Sequence, residues 1–175
     1  LDNAFLQLEN LVNIGQEVLP IMSYNVYNTD TRFGKAQDFI KRAEEICKRK
    51  VVHTLTEAEP LGPKIKLDCL CICPCTGNTL AKLSQGVCDT PVTLAAKAHL
   101  RNDRPLVLAL ASNDSLNGNA ENFGRMLARR NVFFVPLRQD DAEKKPRSMV
   151  CDFDLLYKTI EKAKEGTQSS EYVII

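Results

Sequence analysis

Residues 69–94 read CLCICPCTGNTLAKLSQGVCDTPVTL. Just upstream, Leu67 to Cys73 is a short apolar run of strand length, and Pro74 is read as its end. Thr76, Gly77, Asn78 and Thr79 form a small polar turn that opens into a helix over Leu80 to Gln85. A strand, a glycine-containing turn and a helix amino end, in that order, make an anion site. The first N–H groups of a helix have no partner inside it, and the helix dipole favours negative charge there. Nearby hydroxyls and an amide add hydrogen bonds. Phosphate-bearing cofactors bind at such places.

Strand and helix patterns alternate on both sides of this stretch. Asn3 to Ile14 is an amphipathic helix with Phe5, Leu8, Leu11 and Val12 at helical spacing, and Gly15 ends it. Glu17 to Val26 is expected as a strand. A helix followed by a parallel strand normally has a strand before it, so a first strand and its loop, with part of the active site, are expected to be missing ahead of Leu1. Gly34 to Lys48 reads as a helix, Val51–Leu55 as a short strand and Glu59–Lys64 as a loop broken by two prolines and a glycine. Further on come a helix over Pro91–Leu100, a strand over Leu106–Leu110 and a helix over Asn119–Arg130. Val132–Pro136 reads as a strand, Gln139–Pro146 as a charged loop and Leu155–Lys164 as the last helix. The tail 165–175 is expected to be flexible. The alternation predicts a single α/β domain over 1–175, a mostly parallel sheet with helices on both faces. Ligands of such sheets bind beyond the carboxyl ends of the strands. The loops that matter are then Ser23–Thr31, Pro74–Thr79, Ala111–Asn119 and Leu137–Met149, and all four are rich in polar or charged residues.

The composition narrows the function classes. The chain has 175 residues, 44% hydrophobic and 26% charged, with a net charge of +1. This near-neutral balance argues against bulk attraction to nucleic acid or a membrane surface. No apolar run approaches the roughly 20 residues needed to span a bilayer. Seven cysteines, an odd number with several in one predicted buried strand, fit a reducing cytoplasm better than a disulfide framework.

Cys69, Cys71, Cys73 and Cys75 suggest a metal site at first sight. Residues two apart in a strand lie roughly 6.5–7 Å apart along it. Four thiolates in such a line cannot close a tetrahedron around metal–sulfur bonds of about 2.3 Å. They read as small buried hydrophobes, with no metal. Cys75 sits in the turn, where a helix amino end would lower its pKa if it had a redox role. His53 and His99 lack the company of a triad, and His99, beside Arg101, reads as a surface or capping residue. Lys144, Lys145 and Arg147 lie past the final predicted strand, at the expected ligand end, where a basic run pairs with a carboxylate or phosphate.

Longer motifs carry a family resemblance. NTDTRFG at 28–34, AEPLGPK at 58–64, LDC at 67–69, PCTGNTLAKL at 74–83 and QDDAEKKPRSMV at 139–150 span most of the chain from Asn28 to Val150. With RPLVLALASND and VFFVP, they resemble the homo-oligomeric flavin-containing Cys decarboxylase (flavoprotein) superfamily. That superfamily includes phosphopantothenoylcysteine decarboxylase and flavin prenyltransferase, and the resemblance is greatest to its dipicolinate synthase B-subunit family. It implies a three-layer Rossmann-like, flavodoxin-like fold that binds FMN. By the resemblance, Thr76, Gly77, Asn78 and Thr79 are the turn that contacts FMN, and Ser23 is a second flavin contact. The Arg that flavin prenyltransferases carry after LVLAL is replaced by Ser112, Asn113 and Asp114, which argues against prenyl transfer and makes Asn113 the substitute contact.

The implied activity is oxidation of dihydrodipicolinate to dipicolinate (pyridine-2,6-dicarboxylate), carried out with the A subunit of dipicolinate synthase, which would carry NAD(P). The setting is the mother-cell cytoplasm of a sporulating bacterium. Lys144, Lys145 and Arg147 then suit the dicarboxylate substrate. A homo-oligomer, trimer or dodecamer, is expected, because flavin in this superfamily lies between subunits. Two other readings stand beside this one: another FMN-dependent enzyme of the superfamily, and a non-catalytic assembly protein that keeps the fold without the cofactor. No residue stands out as the general base.

Overall fold

The computed structural model describes residues 1–169 and 171–174. At its centre β1 (Leu70–Cys75), β2 (Leu106–Ser112) and β3 (Val132–Phe134) run parallel, and β4 (Leu137–Asp141) and β5 (Lys145–Cys151) form an antiparallel hairpin. The first half of β2 pairs with β1 on one side and β3 on the other. Its last residues, Ala111 and Ser112, pair with Val150 and Met149 of β5. Leu106, Val107, Leu108, Ala109 and Leu110 are fully buried. Successive strand residues point to opposite faces, so five buried in a row mean that both faces of β2 are covered.

Helices supply the cover. They are α1 (Asp2–Asn13), α2 (Tyr24–Asn28), α3 (Ala36–Cys47), α4 (Leu55–Ala58), α5 (Gly77–Gln85), α6 (Pro91–Arg101), α7 (Ala120–Leu127) and α8 (Leu156–Lys164). α5 packs on α6, α7 and β2, and α6 also packs on β1. α8 packs on β2 and β3 and holds α1 against itself. The mostly parallel, three-layer α/β architecture expected from the alternation is the one that forms.

Local sequence sets the helix ends. α1 closes on Gly15 at φ +88, with the Gly15 N–H on the Val12 carbonyl at 2.9 Å and the Gln16 N–H on that of Leu11 at 3.0 Å. This pair of bonds needs a left-handed residue that glycine adopts without strain. α6 opens on Thr90, whose hydroxyl accepts the Thr93 N–H at 3.1 Å while the Thr93 hydroxyl takes that of Thr90 at 3.2 Å. Pro91 fills the first helical position, where no N–H is needed.

Several expected elements differ. The strand over Glu17–Val26 does not form. It shrinks to one parallel bridge, Ile21 to Val52, with the Met22 N–H on Val52 O and the Val52 N–H on Pro20 O, both at 2.9 Å. Pro20 brings no N–H to a ladder, and the chain turns into α2 directly after Ser23. The strand over Val51–Leu55 reduces to the same bridge because Thr54 caps α4. β1 starts later than expected and runs through Pro74, which follows a cis peptide bond, to Cys75. The register shifts between Ile72 and Cys75, and a proline is tolerated because β1 lies at the edge of the sheet path. α7 stops at Leu127, and the chain enters β3 through Asn131 at φ 60.

The charged loop over Gln139–Pro146 is in fact the tip of the β4–β5 hairpin. The Asp141 carboxylate accepts the N–H groups of Glu143 at 3.2 Å and Lys144 at 2.9 Å, an aspartate turn that reverses the chain. Leu137, Ser148, Met149 and Cys151 are buried while the charged residues face out. In the tail past Glu165, Gln168, Tyr172 and Ile174 are tied down rather than loose, and the expectation for positions 170 and 175 lies outside the described residues. The Gln168 side chain bonds both backbone groups of Phe134, at 3.0 and 2.7 Å, and Leu137 exchanges backbone bonds with Tyr172 and Ile174 at 2.8 and 2.7 Å.

His99 is not a surface residue: it is 2% exposed. Its Nε2 lies 2.9 Å from the Pro105 carbonyl, an acceptor only, so Nε2 carries the proton and the buried Nδ1 has no partner among the described residues. Burial holds its pKa below the ordinary value, near 6.5 in an unfolded chain. The unfolded chain therefore takes up the proton first, and stability present above about pH 6.5 falls as the pH drops. We predict a steeper loss of melting temperature between pH 7 and pH 5.5 in the parent chain than in His99→Gln. Parallel curves would contradict it.

Candidate functional site

Thr76 is the amino cap of α5, so Gly77, Asn78 and Thr79 form its first turn rather than a loop before it. The Thr76 hydroxyl accepts the Thr79 N–H at 3.4 Å, and the two hydroxyls lie 3.3 Å apart. The N–H groups of Gly77 and Asn78 find no acceptor among the described residues, as expected at a helix start. Thr76→Ala is predicted to cost about 1 kcal/mol, read as a lower urea midpoint at unchanged slope.

Two further side chains converge on this turn. A Cβ added at Gly77 would lie 2.6 Å from Asn119 Nδ2 and 2.7 Å from Ser112 Oγ. Ser112 ends β2 and Asn119 immediately precedes α7, so the two parallel βα junctions meet at Gly77. A short relay orients Asn119. Ser84 Oγ donates to Asn122 Oδ1 at 2.6 Å, and Asn122 Nδ2 donates to Asn119 Oδ1 at 3.1 Å. The Asn119 NH₂ group is left facing Gly77. Gly77 has no side chain to hold Ser112 and Asn119 off, so their polar ends sit beside the N–H groups of the first turn of α5. This fits a phosphate or another flavin acceptor group. The sequence reading did not place Ser112 and Asn119 beside this turn, since an Asn before a helix reads as a cap.

Asn113 lies one residue beyond Ser112. Ser148 Oγ sits 3.4 Å from each of Asn113 Oδ1, the Ser112 carbonyl and Asp140 Oδ2. Leu116 N–H donates to the Arg147 carbonyl at 3.0 Å. The loop after β2 and the β4–β5 hairpin are thus one braced unit.

The basic residues do not converge. Lys145 pairs with Asp140 at 2.7 Å and holds that carboxyl below the usual range. Lys144 sits in the hairpin turn, and Arg147 is exposed with no ion pair among the described residues. Ser23 caps α2 without a side-chain bond.

Cys75 is fully buried in β1 rather than displayed in a turn, and burial pushes its thiol up to about 12. Burial does the same to Cys69 and Cys73, and pushes Cys71 and Cys151 well up. These thiols are protonated and inert at neutral pH. Among the described residues no group of three or more His, Cys, Asp or Glu side chains is placed to hold a metal ion, and no helix is long and apolar enough to cross a membrane. Two open clefts, of about 600 Å³ beside α3 and about 370 Å³ between the end of α6 and the start of β3, are lined by none of residues 76–79.

Comparison with known proteins shows the family to which this fold belongs. The model of the Flavoprotein family matches residues 5–162. The B subunit of dipicolinate synthase from Bacillus subtilis (strain 168) is 48% identical over 160 residues, which is 91% of this chain and 80% of that protein. The crystal structure of the dipicolinate synthase B subunit from Bacillus halodurans C superposes with a TM-score of 0.91 at 38% identity, over 99% of this chain and 89% of that one. The FMN-dependent cysteine decarboxylase SpaF superposes with a TM-score of 0.62 over 91% of this chain and 87% of its own. At 18% identity that likeness speaks to the fold alone.

Proposed function

The chain belongs to the Flavoprotein family, and from that premise we propose that it is the B subunit of a dipicolinate synthase. The observation that carries this reading is the 48% identity to such a protein over 91% of the chain. The superposition on a second protein of that kind agrees with it. In this reading the chain acts with the A subunit of the synthase to oxidise dihydrodipicolinate to dipicolinate during sporulation, in the mother-cell cytoplasm. The A subunit carries NAD(P), and this chain forms a homo-oligomer, a trimer or dodecamer.

FMN is the cofactor we assign to it, and bound FMN supplies a two-electron acceptor. The chain's own part is to hold and orient. The free N–H groups of Gly77 and Asn78 and the hydroxyls of Thr76 and Thr79 provide donors at the positive end of α5. Gly77, lacking a side chain, lets the oriented Asn119 amide and the Ser112 hydroxyl close on that end of the helix. Asn113 is a contact from the adjoining loop and Ser23 one from the start of α2. Arg147 and Lys144 on the hairpin tip supply positive charge for a dicarboxylate, while Lys145 is already shared with Asp140.

The test is reconstitution. The full-length chain mixed with the A subunit is expected to form dipicolinate, with little product from either alone. Full activity of the A subunit on its own would contradict a catalytic role for this chain.

A further inference from the structure

His53 is held more firmly than a surface histidine needs to be. The Glu57 carboxylate accepts the His53 N–H at 3.0 Å and the Thr54 N–H at 3.1 Å, and lies 3.3 Å from His53 Nδ1. The Val51 carbonyl is also 3.3 Å from Nδ1. Both neighbours of Nδ1 accept only, so in the neutral ring Nδ1 carries the proton, and the Nε2 lone pair meets no donor among the described residues. The Tyr27 ring stacks on the imidazole at 3.8 Å and 6°. Glu57 is itself fixed by its reciprocal cap with Thr54. A carboxylate behind one nitrogen, an aromatic ring over the face and a lone pair on the other nitrogen are the parts of a positioned base.

The path of the chain places this base at the ligand end of the fold. In the first half of α1, Gln7 Nε2 donates to Asp154 Oδ1 at 3.3 Å, and Asp154 follows Asp152, whose N–H donates to the Pro136 carbonyl just past the carboxyl end of β3, parallel to β1 through β2. Past the other end of α1, Gln16 Oε1 lies 3.5 Å from Lys164 Nζ, at the far end of α8, which runs back along β2 and β3. α1 therefore runs opposite to β1. The extended segment that follows brings Ser23 back to the carboxyl end, and the parallel bridge of Ile21 to Val52 carries His53 to that same end.

We propose that His53 Nε2 is the proton acceptor of the dehydrogenation, positioned by Glu57 and Tyr27; this rests on the functional reading above. Making a dihydropyridine dicarboxylate aromatic removes two hydrogens. One leaves as hydride, with its electron pair, to the flavin or nicotinamide acceptor. The other leaves as a proton to His53 Nε2, its bonding pair joins the ring, and the resulting imidazolium faces the Glu57 carboxylate.

The test uses the full-length chain with the A subunit. His53→Gln is expected to lower kcat/KM by about 100-fold or more, to regain part of it on adding imidazole, and to leave the FMN titration and assembly of the two proteins unchanged. Independently of activity, long-range proton–nitrogen NMR of the parent chain is expected to show Nδ1 protonated and Nε2 bare in the neutral ring, with that preference weakened in Glu57→Gln. Activity of His53→Gln within twofold of the parent, loss without imidazole rescue, or a neutral ring protonated on Nε2 would each overturn the assignment. An inactive parent pair would overturn the functional reading instead, and the proton role with it.

Discussion

Gly77→Ala is expected to leave the protein folded and to weaken FMN binding by at least about tenfold, or 1.4 kcal/mol. The added methyl would stand 2.6 Å from Asn119 Nδ2 and 2.7 Å from Ser112 Oγ. Real Cβ atoms do not approach so closely, so one or both side chains must swing away. Two effects on stability oppose each other. Alanine is the better helix former by up to about 1 kcal/mol, while overpacking costs roughly 1–3 kcal/mol. Both clashing atoms are ends of short polar side chains near the surface, so the net change in folding lies at the low end. Binding has no such compensation. The methyl pushes the amide that Asn122 orients and the Ser112 hydroxyl away from the N–H groups at the start of α5, where an acceptor group would meet them. Urea unfolding and an FMN titration on the same sample separate the two effects. Unchanged FMN affinity would mean that the cofactor, if bound, lies elsewhere.

Phe134→Ala is expected to destabilise the chain by about 3–5 kcal/mol, a large share of the stability of a domain this size. Phe134 is fully buried at the end of β3, edge-on to Phe123 of α7 with ring centroids 4.8 Å apart. Its backbone N–H and carbonyl are both bound by the Gln168 side chain. Removing the ring leaves a cavity between sheet and helix that the backbone, fixed on β2 and by Gln168, cannot collapse to fill. The urea midpoint should drop sharply at an unchanged slope. A loss under about 1 kcal/mol would mean that this corner repacks freely.

The parts of the fold set by local chemistry were legible from the residues. The apolar run of β2, the capped start of α6 and the glycine ending α1 each announce themselves within a few positions. The polar turn at Thr76–Thr79 marked a helix amino end, and only its boundary moved, because Thr76 caps the helix. The β4–β5 hairpin was hidden because its tip is all charge, and the aspartate turn at Asp141 gives a weak signal in one sequence. The strand expected over Glu17–Val26 failed because a β pattern carries no information about whether a partner lies alongside.

The candidate site was half legible for the same reason. Residues 76–79 are contiguous and share one local geometry. Ser112 and Asn119 join them only through the packing of α5 against β2 and α7. His53 appeared isolated in the sequence, yet the run Thr54-Leu-Thr-Glu57 is a capping-box pattern that places a carboxylate back over residue 53. Reading that pattern for its geometry would have found the pair. His99 was misjudged because a helix end beside an arginine reads as surface, whereas its face of α6 is turned into the core.

We propose that the amino end of α5 holds FMN, and the most direct measurement is an equilibrium FMN titration of the purified full-length chain beside Gly77→Ala and Asn78→Ala. Saturable binding, with flavin fluorescence quenched in the parent and weakened at least about tenfold in Gly77→Ala, is the predicted result, with Asn78→Ala also weaker. A parent chain that leaves the flavin fluorescence untouched, or variants that bind as the parent does, would contradict it.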